Sequence, residues 1–110
     1  MIFDIVADIT LFEHVAEPKA KGVKSGYAPH HKFPHIDWLV SGCHYYQDEA
    51  LHFPGETIEA GIRLVSWELL RDSLRPGMEF EVRELHKVVG MGRVKNVRKL
   101  TRGKVFGSLP

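Results

Sequence analysis

Hydrophobic and polar positions alternate most clearly at the start of the chain. From Met1 to Phe12, Phe3, Ile5, Ala7, Ile9 and Leu11 fall on one face, and Asp4, Asp8 and Thr10 on the other. Period two is the mark of a half-buried β-strand. Thr57 to Val65 repeats it, with Ile58, Ala60, Ile62 and Leu64 inward and Glu59 and Arg63 outward. The stretch from Leu74 to Val97 predicts a β-hairpin. Arg75-Pro76-Gly77 is a turn, since proline presets φ and glycine accepts a positive φ. Phe80 and Val82 then alternate with Glu79, Glu81 and Arg83, and Glu84-Leu85-His86 makes the connection. Lys87 to Val97 returns as a second strand carrying Val88, Val89, Val94 and Val97. Gly90 and Gly92 stand two apart inside it and share a face with Val88 and Val94, which we assign to the interior. Glycines inside a strand mark a bulge, a bend or a close approach, so we expect Trp67 or Phe80 to pack over them.

The remaining pattern is weaker. Glu13 to Lys24 holds Pro18 and Gly22 and reads as a solvated loop. Val23 to Ala28 forms a short strand leading to Pro29, and His30 to Pro34 is irregular. His35 to Ser41 places Ile36, Trp38 and Val40 on one side, and Gly42 to Phe53 is a polar and aromatic excursion. Pro54-Gly55 is a second turn, and Trp67, Leu70 and Leu74 have the spacing of one helical turn. Many short strands separated by proline–glycine turns predict an all-β protein, a small closed antiparallel barrel of about six strands. We place that single domain at residues 1–97 and a basic tail at 98–110.

Composition narrows the picture. At 110 residues, 44% hydrophobic and 26% charged, the chain has the size and balance of one soluble domain. A net charge of +1 favours neither nucleic acid nor membrane overall. From Lys95 onward, however, every charged residue is basic. Cys43 is the only cysteine, so no internal disulfide forms; this suits a reducing cytoplasm, the expected location. The first apolar run is interrupted by Asp4 and Asp8, unlike a signal peptide or a membrane span.

The order of these motifs resembles the C-terminal β-barrel domain, domain three, of elongation factor Tu. The shared pieces are the alternating strand Ile5 to Leu11, the lysine- and glycine-containing loop Lys19 to Lys24, and Gly26-Tyr27-Ala28-Pro29. They continue with Pro54-Gly55-Glu56-Thr57-Ile58, the strand Phe80 to Val82, Arg83-Glu84, and Val89-Gly90-Met91-Gly92-Arg93-Val94. The match runs from about residue 2 to about residue 97. It implies the barrel fold, and a domain that docks other domains and contacts the T-arm of aminoacyl-tRNA. Two positions depart from the family pattern. Ala28 stands where that family has arginine, and Leu85-His86-Lys87 stands for its glycine-glycine-arginine hairpin tip. These residues hold neither a GTPase domain nor a G-x-x-x-x-G-K-[ST] loop, so nucleotide binding and hydrolysis are not expected.

Candidate chemistry is sparse. His30, His31 and His35, with His44, His52 and Asp37 further on, have the residue types of a metal site. Pro29 and Pro34 oppose the helix that would put His31 and His35 on one face, so we read a histidine-rich surface loop. Cys43 and His44 are adjacent and point to opposite faces of a strand, so they are no nucleophile–base pair; we expect a buried, structural thiol. Glu79, Glu81 and Glu84 near Arg83 and Arg93 read as cross-strand ion pairs. Tyr27, Phe33, Trp38, Tyr45, Tyr46 and Phe53 either form an interface or cap the barrel.

The resulting expectation is a non-catalytic binding module without cofactor or metal. Its partner is a protein, as for an inhibitor, immunity or regulatory protein of a bacterial cell. The alternative is an RNA-binding accessory contacting tRNA or the ribosome, with the basic tail and Phe106 against phosphate and base. Candidate interaction residues are Tyr27, His30, His31, His86 and Lys87, joined by Arg98, Lys99 and Arg102 of the tail.

Overall fold

A computed structural model of the protein describes residues 2–14 and 19–98. Six strands form a closed antiparallel barrel. They are β1 (Ile5–Leu11), β2 (His30–Lys32), β3 (Val40–Tyr45), β4 (Thr57–Leu64), β5 (Glu79–Glu84) and β6 (Lys87–Val97). The order around the barrel is β1-β4-β3-β2-β5-β6, with β6 returning to β1. A single helical turn, α1 (Trp67–Leu70), follows β4 and runs into the 3₁₀ turn Arg71–Ser73. Trp67, Leu70 and Leu74 are all buried, as their spacing predicts.

Alternation sets the barrel wall. Ile5, Ala7, Ile9 and Leu11 of β1 are buried, and so are Ala60, Ile62 and Leu64 of β4. Both proline–glycine turns form as expected. The Met78 N–H donates to the Arg75 carbonyl and the Glu56 N–H to that of Phe53, with Gly77 at φ 91° and Gly55 at φ 93°. That is the type II turn, with proline second and glycine third.

A barrel this narrow is filled by side chains, so large ones must face small ones. Phe33 and Phe80 lie in the interior with ring centroids 4.9 Å apart. Facing them, β6 offers Gly92: a methyl group there would sit 2.2 Å from the Phe80 ring. Of the two candidates for this contact, Phe80 is the one that makes it. The glycines also adjoin a bulge. Arg83 pairs with Val88 and Val82 with Gly90, which leaves Val89 as an extra residue. The bulge turns Val89 inward and leaves Val88 half-exposed, the reverse of the interior assignment made for Val88.

Several local expectations are corrected. His30 to Lys32 is strand, not irregular chain, and β3 occupies the first half of the supposed excursion. Both were obscured because their inward positions carry histidine or glycine in place of an aliphatic residue. Val23 makes only an isolated bridge to His52, so residues 23–28 form no strand. Trp38 is half-exposed, off the face shared by Ile36 and Val40. Phe3 lies outside the barrel, stacked on Tyr45 and covering Gly61, because the chain bends at Asp4 before β1 begins. Cys43 is half-exposed on the outer side of β3. Arg83 pairs with Glu81 along its own strand, while Glu84 turns to Lys19.

Asp4, on the polar face of the first strand pattern, is buried and ties three segments together. Its carboxylate accepts from the Leu64 N–H at 2.8 Å and from Arg98 at 2.6 Å, and its carbonyl accepts from the Arg98 N–H. This closes the barrel end where β1 starts and β4 and β6 finish.

Replacing Gly92 with valine overpacks the interior against Phe80 and is expected to destabilise the fold by about 1–3 kcal/mol. Thermal melts of Gly92→Val alone and combined with Phe80→Leu check this. The second change should recover part of the loss, and an unaltered melt of Gly92→Val would refute the contact.

Candidate functional site

Strand direction divides the candidate residues between the two ends of the barrel. At one end lie the start of β2, the β5–β6 hairpin and the loop of residues 19–29. That loop is fixed over β3 by backbone bonds. Gly26 N–H donates to the His44 carbonyl and His44 N–H to that of Tyr27, each at 2.8 Å. Tyr27 is thereby aimed at the end of β5. Its hydroxyl donates to Glu84 Oε2 at 2.8 Å, and Lys19 Nζ meets the same oxygen at 2.7 Å. Lys19 also stands 5.7 Å from the Tyr27 ring centre. Burial, then the bond to Glu84, raises the Tyr27 hydroxyl far above the usual phenol range. Partial burial pushes Glu84 up, but the Lys19 and Tyr27 hydrogen bonds outweigh it and hold the carboxyl below its usual value.

The hairpin tip is Leu85-His86, a two-residue connection. Leu85 adopts φ 58°, a left-handed conformation that costs a side-chain-bearing residue about 1–2 kcal/mol. Its N–H donates to His30 Nδ1 at 3.2 Å, so β2 braces the tip. The Leu85 side chain nevertheless remains 65% exposed. Beside it is a recess of about 350 Å³ walled by Lys19, Tyr27, Pro29, His30 and Glu84.

Two histidines lie beneath this end, inside the barrel. His31 and His44 are fully buried, with their Nε2 atoms 2.8 Å apart. His31 Nδ1 lies 2.9 Å from the Val40 carbonyl, which only accepts, so this nitrogen carries a proton. In a neutral ring His31 Nε2 is then the acceptor, and His44 Nε2–H donates to it. His44 Nδ1 faces the Tyr46 hydroxyl at 3.5 Å. Gly42 makes room for the pair, since a methyl group there would sit 2.8 Å from the His31 ring. Burial is the main cause that lowers both rings, His31 to about 4 and His44 well below the ordinary imidazole value.

Of the candidate interaction residues, the structure brings Tyr27, His30, His86 and Lys87 to one end. His31 is corrected: its neighbours on the strand face outward, so it faces the interior and presents nothing to a partner. Arg98 is at the opposite end, paired with Asp4 and 6.0 Å from the Trp67 ring. Lys99, Arg102 and Phe106 lie outside the described residues. His35 is exposed, away from the buried pair, and among the described residues no three His, Cys, Asp or Glu side chains converge on a metal position. The expected aromatic group separates likewise. Phe33 is core, Tyr27 and Tyr46 pack against it, and Trp38 and Phe53 are largely exposed. Sequence reasoning missed Lys19 and Glu84 as partners because the bond joins a loop to a strand 65 positions away (84 − 19), beyond any local pattern.

The loop of residues 46–56 beside this end has its own clamp. His52 Nε2 meets Asp48 at 2.8 Å and its Nδ1 meets Glu56 at 3.2 Å. The ring can donate to both carboxylates only as an imidazolium, and the Asp48 bond, followed by Glu56, raises it above the usual value.

Fold and site together define a six-stranded β-barrel with one preorganised, partly apolar end. Comparison with known protein families and with curated proteins finds no match. Among the described residues no helix is long and apolar enough to cross a membrane.

A base whose folded-state value is raised stabilises the fold below its unfolded value and loses that contribution as pH rises through the folded one. The 46–56 loop should therefore loosen on going from mildly acidic to alkaline pH. Amide exchange at Val23 and His52, which hydrogen-bond each other, reports it. His52→Gln should abolish the pH dependence, and an unchanged pH profile in that variant would overturn the assignment.

Proposed function

We propose that this chain is a non-catalytic binding module that holds a protein partner at the barrel end formed by Tyr27, His30, Glu84 and the Leu85-His86-Lys87 tip. The observation that carries the reading is Leu85. An exposed leucine is held at φ 58° by a bond to His30, beside a recess whose polar groups are already fixed. Backbone strain of this kind persists where the surrounding structure enforces it, and such places concentrate at binding sites. A rigid apolar tip loses little freedom on docking, which favours association. Lys19, Tyr27 and Glu84 satisfy one another, so a partner meets a shaped polar wall rather than a loose one.

The resemblance to domain three of elongation factor Tu supports the same reading, as that domain works by docking. Contact with tRNA or other RNA is the competing use of this end. Salt separates the two, because phosphate contacts make affinity fall steeply with ionic strength.

Leu85→Gly is the informative variant. Glycine accepts a positive φ without strain, so the melting temperature should rise or hold. Capture of the protein partner should fall by about tenfold or more if the leucine is a central anchor. Leu69→Ser, 70% exposed on α1 at the opposite end, should leave capture unchanged. Equal capture by wild type and Leu85→Gly would refute the proposal, as would retention of tRNA in place of protein with a strong salt slope.

A further inference from the structure

The buried histidine pair lies in the weakest part of the barrel wall. Strand β2 has only three residues, and its register with β3 is His30 with Ser41 and His31 with Val40. Beyond these the chain before β2 is held to β3 by three backbone bonds: Gly42 N–H to the Pro29 carbonyl at 3.3 Å, His44 N–H to that of Tyr27 and Gly26 N–H to that of His44, both at 2.8 Å. Inside the barrel His31 links the two strands twice, its Nδ1–H donating to the Val40 carbonyl and its Nε2 accepting from His44 Nε2–H. It joins the strand bearing His30, which braces the tip, to the strand that anchors the Tyr27 loop.

The tautomers fix where an added proton goes. His31 Nδ1, His31 Nε2 and His44 Nε2 are engaged in the chain that ends at the Val40 carbonyl. The remaining basic nitrogen is His44 Nδ1, opposite the Tyr46 hydroxyl. Protonation there converts the acceptor of the Tyr46 hydrogen into a donor and puts a full charge in the interior.

The Val40 carbonyl favours a charge on His31, but burial outweighs it and no anion faces the pair. From β2, His30 adds repulsion. From β5, Phe80 stands 5.9 Å from the His31 ring, and the Phe33 ring stacks on His31 from beyond β2 at 6.2 Å. From β4, Ile62 is the register partner of His44. The Tyr27 and Tyr46 rings meet His44 edge-on, and each hydroxyl is raised, so neither supplies an anion. Glu84, the carboxylate nearest in this chain of contacts, is engaged by Tyr27 and Lys19 on the far side of the Tyr27 ring. An unpaired charge in such surroundings is costly unless the site opens to water.

We propose that His31 and His44 form a proton-operated latch: uptake of one proton at His44 opens the β2–β3 seam and frees the barrel end that carries Tyr27 and the hairpin tip. The latch is a property of the barrel and holds whatever docks there. Its sign follows from burial. The folded state resists protonation and the open state does not, so the closed seam is favoured near neutrality and weakens as pH falls below about 6.5. His52 works in the opposite direction, since acid strengthens its clamp, so the opening is confined to the seam.

The test is amide exchange on the full chain, corrected for intrinsic rates, between about pH 7 and about pH 4. In the wild type, protection at Gly26, Gly42 and His44 should fall by about tenfold or more while the amides of β1, β4 and β6 keep theirs. In His31→Phe/His44→Leu the seam should show no pH dependence. Equal loss in the double variant would assign the effect to carboxylates and overturn the latch. So would simultaneous loss of protection in every strand of the wild type. Ring resonances of the wild type serve if the double variant does not fold. Two histidines should stay neutral until the seam amides open, and titration of both near the ordinary value with the seam closed would overturn the proposal.

Discussion

The packing of Phe80 across Gly92 is the contact on which barrel closure depends. β5 and β6 are hairpin partners, and β6 also carries the long seam with β1 that completes the circle. For the wall to curve tightly enough, its interior must accept two phenylalanine rings without pushing the strands apart. Gly92 supplies the depth on β6, and Ala7 and Ala60, register partners on β1 and β4, supply it on the adjoining wall. The bulge at Val89 follows from the same constraint, because an extra residue increases the local bend where β6 leaves the tip. Glycine at this point would weaken an isolated strand, yet here it removes an overlap with the Phe80 ring.

Apolar filling stops short of the other side of the barrel. Where β2 and β3 meet, the interior positions are histidines, each with its hydrogen bonds arranged so that neither ring needs a charge. A satisfied neutral pair is tolerable in a core, whereas either histidine alone would leave a buried donor or acceptor unmet. The pair thus behaves as one unit. It also explains Gly42, whose missing side chain is occupied by the His31 ring.

The fold was legible where burial and alternation coincide. β1 and β4 bury aliphatic residues at every second position, and their long strands emerge from the sequence with correct faces. Both type II turns follow from proline and glycine chemistry alone. The failures at β2 and β3 have one cause. β2 and β3 place His31, Gly42 and His44 at inward positions, and a hydrophobicity pattern reads these residues as surface or loop. The buried role of a histidine depends on a partner 13 positions away, which no local period encodes. Asp4 was misread similarly, because its burial depends on Leu64 and Arg98, which only barrel closure brings near. At the candidate site, Tyr27, His30, His86 and Lys87 were named in one set with His31, Arg98, Lys99 and Arg102; the first four meet at one end, His31 is buried and Arg98 lies at the other end. The bond that fixes Tyr27 was not legible, since Lys19 and Glu84 gave no pattern of their own.

The two ends of the barrel are therefore held by different physics. At the end where β6 finishes, the Asp4 carboxylate is fixed by a backbone N–H and a guanidinium, and Trp67 and Leu70 of α1, with Leu74 after the 3₁₀ turn, are buried. That end is closed by apolar burial around a compensated charge. At the other end a loop lies across a short strand, the polar contacts are half-exposed, and the support beneath is a neutral imidazole pair. The tip at Leu85 keeps its left-handed backbone because His30 braces it from β2. The strain is carried by the β5–β6 hairpin, whose far end is anchored by Phe80 over Gly92.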